Sequence, residues 1–177
     1  MYQEDLARYT SDHLRSHIKP YLDEVWSEYT APDSVPLIVP KRIDFSSQVG
    51  GMITEYDKIL PQYGIDILGK DQAPSDDSLW SYIYSGQING LVSGGSREAV
   101  DYLVARHSRA VEAFIRRHWH LHQHENANFR ILEFLFSGFD FSGAEDVSTS
   151  DRDIWVAGFS HNVVWLTSED GPSDENG

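Results

Sequence analysis

The sequence predicts an α+β fold: a mostly antiparallel sheet of four to five strands packed against a long helix and an N-terminal helix, in the order α-β-(β)-β-β-α-β-β. Three observations predict it. Apolar residues recur every three to four positions in two segments, one near the N-terminus and one over 97 to about 120. Most other apolar segments alternate with period two, as half-buried antiparallel strands do. Clusters of Gly, Pro, Asp and Ser separate these segments. The 177 residues are 40% apolar and 12% aromatic, enough to build one core. Residues 1–167 therefore read as a single domain, and 168–177, without an apolar residue after Thr167, as a disordered acidic tail.

Residues 3–30 form an extended N-terminal helical region, in which Leu14, Ile18, Tyr21, Val25 and Tyr29 share a face. Pro20 either kinks one helix or opens a second at its first position. Over 35–45, Val35, Leu37, Val39, Ile43 and Phe45 share a strand face. Pro36 and Pro40 both lack an N–H on the other side, which suits an edge strand. Residues 46–62 are ambiguous, and 63–69 form a short strand. Residues 71–78 make a loop of acids and helix breakers.

The next strand covers 79–93, with Trp80, Tyr82, Tyr84, Ile88 and Val92 on one face. Gly86 and Gly90 on that face mark a bulge or a close approach of neighbours. Ser96 is a good N-cap for the long helix, whose apolar face carries Val100, Leu103, Val104, His107, Val111, Phe114, Ile115 and His118. Glu98 in its first turn and Arg116 and Arg117 in its last suit the helix dipole. Residues 129–139 are apolar on both faces, as in a central strand, and 140–152 form an acidic loop. In 153–167, Trp155, Ala157, Phe159, Val163 and Trp165 share a face.

Charge and composition exclude several function classes. The chain has 28 acids against 14 bases, a net charge of −14. Such a chain does not grip duplex DNA through phosphate neutralisation, and an anionic membrane surface repels it. With no cysteine, disulfides, thiol catalysis and Cys-based zinc sites are excluded. No apolar run approaches the roughly 18 residues of a membrane-spanning helix, and the first residues lack the pattern of a signal peptide. The acid excess suits either a high-salt environment or a surface that must repel an anion.

Histidine supplies the most visible cluster: His118, His120, His122 and His124. On a strand these would line one side; on a helix they would pair four residues apart, a spacing that zinc or nickel bridges. No H-E-x-x-H pattern or second ligand motif accompanies them, so a solvent-facing or structural role is the default and no metal or cofactor is expected. His13 and His17 stand at the boundary of a helix face. His107 and His161 read as core histidines bonded to backbone carbonyls. No Ser nucleophile motif, P-loop or dinucleotide fingerprint is present, and no carboxylates are paired for acid–base work, so no catalytic residues are assigned.

The aromatic faces point elsewhere. Trp80, Tyr82, Tyr84, Trp155, Phe159 and Trp165 are many large rings for one small sheet. One layer of helices covers one sheet face, so these six are candidates for subunit contact.

The order of features resembles the tail-terminator, or neck, proteins of long-tailed bacteriophages and related archaeal viruses. The residues carrying the resemblance are the strand Pro36-Leu-Ile-Val-Pro40, the strand 82–92 running into the helix 97–115, and the closing strands 131–139 and 154–165. The resemblance covers about residues 5–167 in pattern and order. It implies a structural, non-enzymatic virion protein, assembled in a host cytoplasm. Copies form a ring of about six that caps the tail tube, stops its polymerisation and joins the tail to the head connector. Its partners would be other copies, the tail-tube protein and a head-completion or adaptor protein, with DNA passing through the lumen without specific binding and no membrane involved. Asp71, Asp76, Asp77, Glu145 and Asp146 are then candidates for the acidic lumen wall, which repels passing phosphates. The alternative is a small metal-binding protein or metalloenzyme using the 118–124 histidines.

Overall fold

The computed structural model describes residues 2–28, 37–44, 60–73, 81–118 and 129–169. Two helices, α1 (Tyr2–Ser27) and α2 (Arg97–Arg117), pack on one face of a five-stranded sheet. Its strands are β1 (Arg42–Asp44), β2 (Gln62–Gln72), β3 (Ser81–Gly94), β4 (Phe129–Asp146) and β5 (Trp155–Glu169). Their spatial order is β1-β2-β3-β5-β4. The α+β class and the element order are as the sequence predicts. The pairings are antiparallel except for β1, which runs parallel to β2.

α1 is one continuous helix through Pro20. The proline lies on the exposed face, where the carbonyl left unpaired by its missing N–H can reach water. Leu14, Ile18 and Val25 are buried as expected, and Leu6, Ala7 and Leu22 extend the same stripe. Tyr29 lies outside the described residues. α2 opens at Ser96, whose hydroxyl accepts from the Ala99 N–H at 3.1 Å. It closes three residues earlier than the periodicity predicts, with His118 as the cap. The two helices are tied by a two-bond contact from Arg117 to Glu24 at 2.7 and 2.9 Å and by an Arg109–Glu28 pair at 2.6 Å.

The aromatic face of the sheet is the one the helices cover. Along β5, Ala157, Phe159, His161, Val163, Trp165, Thr167 and Glu169 are buried, while Ser160, Asn162, Val164, Leu166 and Ser168 between them are half-buried. Trp165 is fully buried, stacks on Phe134 at 5.4 Å, and donates its indole N–H to the Thr10 hydroxyl on α1 at 3.1 Å. Burying a large apolar side chain contributes about 1.5–3 kcal/mol, so this layer dominates the stability. The opposite face carries Ser85, Gln87, Asn89 and Asn162, with Gln87 donating to Asn162 at 3.0 Å.

Four boundaries differ from expectation. Residues 140–146, expected in an acidic loop, continue β4, because Phe139 and Phe141 resume the alternation and pair with His161 and Phe159. Ser168 and Glu169, expected in the tail, complete β5, because the Glu169 carboxylate is buried and bonded. β2 runs from 62 to 72, so Asp71 is a strand residue rather than a loop acid. Of the expected strand 35–45, only 42–44 pair within the described residues, and among these residues β1 is a sheet edge, as expected for that segment from Pro36 and Pro40.

Candidate functional site

The six aromatic residues expected at a subunit contact do not form one exposed surface. Tyr84, Phe159 and Trp165 are buried in the chain's own core, at 1%, 3% and 0% exposure, so they have no surface to offer a neighbour. Tyr82 and Trp155 are partly buried and pack against the same core. Trp80 lies outside the described residues. The physical reason is area: rings bury the most apolar surface per residue, so the helix-covered face takes them.

The exposed apolar surface lies on β4 instead. Phe139 and Phe141 are 51% and 49% exposed, with ring centroids 5.3 Å apart. Both point to the helix side of the sheet, opposite His161 and Phe159. β4 is the terminal strand, and these rings remain open. Leu135, on the other face of the strand, is also exposed. Among the described residues no strand pairs with the outer edge of β4. Three register shifts interrupt that edge, between Ile131 and Glu133, Phe136 and Gly138, and Ser142 and Glu145. Bulges of this kind discourage edge-to-edge strand addition. A neighbour would therefore meet the two rings, rather than extend the ladder. The sequence signal was present: Phe139-Asp140-Phe141 is an alternating apolar-polar-apolar run continuing a strand.

Of the clustered histidines, His118 caps α2, and His120, His122 and His124 lie outside the described residues. His118 meets a pair that sequence spacing had placed on α1. Its Nδ1 is 2.8 Å from His13 Nε2, and the His13 and His17 rings stack at 4.2 Å. His17 Nδ1 donates to the His13 carbonyl at 2.8 Å. Burial, then the neighbouring His17 and His118, pushes the His13 pKa down to about 4. Burial followed by His17 lowers that of His118. His13 and His118 fill the junction of α1 with the end of α2, where burial favours their neutral forms. Among the described residues no group of three or more His, Asp or Glu side chains is arranged to hold a metal ion.

His161 is bonded as expected, donating from Nε2 to the Ser108 carbonyl at 2.9 Å. His107 is not. Its Nδ1 faces the Tyr63 hydroxyl at 2.5 Å, so the partner is a side chain on β2 rather than a carbonyl. Burial pushes the His107 pKa down to about 4 and that of Tyr63 well above its ordinary value. Both groups stay neutral across the physiological range.

The acids proposed for a lumen wall separate. Asp71, Glu145 and Asp146 are exposed at strand ends, the first on β2 and the others on β4. Asp76 and Asp77 lie outside the described residues. The Ser148 side chain first, and then its N–H, which donates to Asp146 at 2.9 Å, hold the Asp146 carboxyl below the usual range. No helix among the described residues is long and apolar enough to cross a membrane. No protein-family model matches the chain, and no curated protein matches it.

Proposed function

We propose that the chain is a structural protein of a virus particle, forming a ring of about six copies at the head–tail junction. The ring caps the tail tube, halts its polymerisation and joins the tail to the head connector. The observation that carries this reading is the exposed Phe139–Phe141 pair on the edge strand β4. Two adjoining rings half open to water on a terminal strand are suited to burial against another copy. The exposed Asp71, Glu145 and Asp146, with the net charge of −14, suit a lumen through which DNA passes without sticking.

Light scattering of the purified chain tests this reading. The expected result is a closed species near six times 20.1 kDa, with the F139D/F141D double variant remaining a folded monomer by circular dichroism. A wild-type chain that stays monomeric at every concentration, or a double variant that assembles as the wild type does, overturns it. Elemental analysis addresses the metal-binding alternative. Stoichiometric zinc, nickel or iron that is lost on His120→Ala would replace the ring with a metal site as the chain's main business.

A further inference from the structure

A cavity of about 270 Å³ opens where the approach to β1, the end of β3 and the start of α2 come together. Ile38, Leu60, Val92 and Leu103 supply its apolar wall, and His107 and Arg152 its basic groups. At ~30 Å³ per water-sized volume, it has room for about nine non-hydrogen atoms. Gly94 and Gly95 bring the cavity to the N-terminal end of the 21-residue helix α2. First-turn N–H groups there have no partners within the helix and favour negative charge.

The second observation is His107 itself, which is 1% exposed. Its Nδ1 is taken by the Tyr63 hydroxyl. Tyr63 is buried and has no other hydrogen-bond partner among the described residues, so its O–H must donate; accepting instead would strand a buried proton. Nδ1 therefore accepts, and the ring proton sits on Nε2. Tyr63 does not line the cavity, so the imidazole turns its opposite edge, with Nε2–H, toward it. No described residue accepts that proton. The result is a donor on a buried side chain that opens onto a half-apolar chamber near a helix N-terminus.

We propose that this cavity is a binding site for a small monocarboxylate with an apolar body. The carboxylate accepts from His107 Nε2–H and faces the α2 N-terminus and Arg152, and the body lies against Ile38, Leu60, Val92 and Leu103. Asp153 on the same rim repels a second negative charge, which selects a monoanion over a phosphate dianion. The site is independent of ring formation, since none of its residues belongs to the Phe139–Phe141 surface.

Benzoate and benzylamine, which share a ring and differ in the sign of their charge, are the probes. Each is titrated into the ¹⁵N-labelled full chain. Benzoate is expected to give saturable shifts at the Gly94, Gly95 and Leu103 amides and at the His107 side chain, with benzylamine at least about tenfold weaker. A long-range ¹H–¹⁵N spectrum of the free protein is expected to show His107 protonated on Nε2. Arg152→Ala, at an exposed position that leaves the core untouched, is expected to weaken benzoate about tenfold, and His107→Phe to abolish the response. Benzoate that does not saturate by about 10 mM, equal binding of benzylamine, a proton on Nδ1, or unchanged affinity in R152A would each overturn the assignment.

Discussion

The ring of Phe159 on β5 lies across Gly90 on β3. The two residues are direct partners in the antiparallel ladder, and a Cβ placed on Gly90 would stand 2.2 Å from two of the ring carbons. A glycine is required here by contact rather than by dihedral angle, since among the described residues only Gly138 has a positive φ. Gly86, four residues earlier on the same face, is also held to glycine by contact: a Cβ there would run into the Asp66 carbonyl oxygen on β2 and lie 2.8 Å from the Trp165 indole.

Gly90→Ala should therefore destabilise the fold by about 1–3 kcal/mol, the usual cost of forcing extra volume into a packed core. That exceeds the roughly 0.4–1 kcal/mol gained by restricting the unfolded chain. Gly95→Ala is the control. No atom stands within 4 Å of its Cβ position, so its stability should change by less than about 0.5 kcal/mol. Urea midpoints for the two variants decide the matter; equal midpoints would show that the ring yields freely.

Glu169 should behave as a structural residue, not as part of a solvated tail. Its side chain is 6% exposed, accepts a short hydrogen bond from the Tyr84 hydroxyl, and pairs with Lys70 at 2.8 Å. Lys70 also lies over the Tyr82 ring, 3.9 Å from its centroid. Glu169→Ala withdraws the acceptor from both groups and should cost about 2–3 kcal/mol. Glu169→Gln, which keeps one carbonyl acceptor, should cost roughly half as much. Chemical denaturation at pH 7 reads both, and an alanine variant as stable as the wild type would return Glu169 to the tail.

Acid should destabilise the protein through its histidines. His107 has its pKa pushed from 6.5 to about 4 by burial, and His13, His118 and His161 are displaced in the same direction. Between these values the unfolded chain binds protons that the folded chain refuses, so stability falls as pH falls. The contribution is whole above about pH 6.5 and is lost progressively toward pH 4. For the buried His107 alone the loss is on the order of 3 kcal/mol. Denaturation free energies between pH 7.5 and 4.5 should therefore slope downward toward acid, and His107→Gln should flatten the slope. A slope unchanged in that variant would place the effect elsewhere.

Much of the architecture was legible because it depends on local periodicity. The apolar stripe on α2, the Ser96 cap, and the shared face of Tyr84, Ile88 and Val92 all follow from spacing alone. Gly86 and Gly90 were recognisable as places of close approach before their neighbours were known. The ends of β4 and β5 were not legible in the same way. Asp140, Glu145, Asp146 and Glu169 have loop-like composition, and only their cross-strand partners make them strand residues. Likewise, period two sorts residues into two faces without saying which face the helices cover. That choice buried Phe159 and Trp165, while Phe139 and Phe141 on the same face stay open on the terminal strand β4.

By itself the sequence determined the fold class, the helix faces and the exclusion of thiol chemistry, because each follows from residue type and spacing along the chain. Tertiary structure alone decided which aromatic residues a neighbour can reach, and that His13 meets His118 and His107 meets Tyr63. Those pairs are separated by 105 and 44 residues. No local rule reaches that far: their juxtaposition is set by how helices lie on a sheet, where burial of the largest apolar area takes precedence over every local preference.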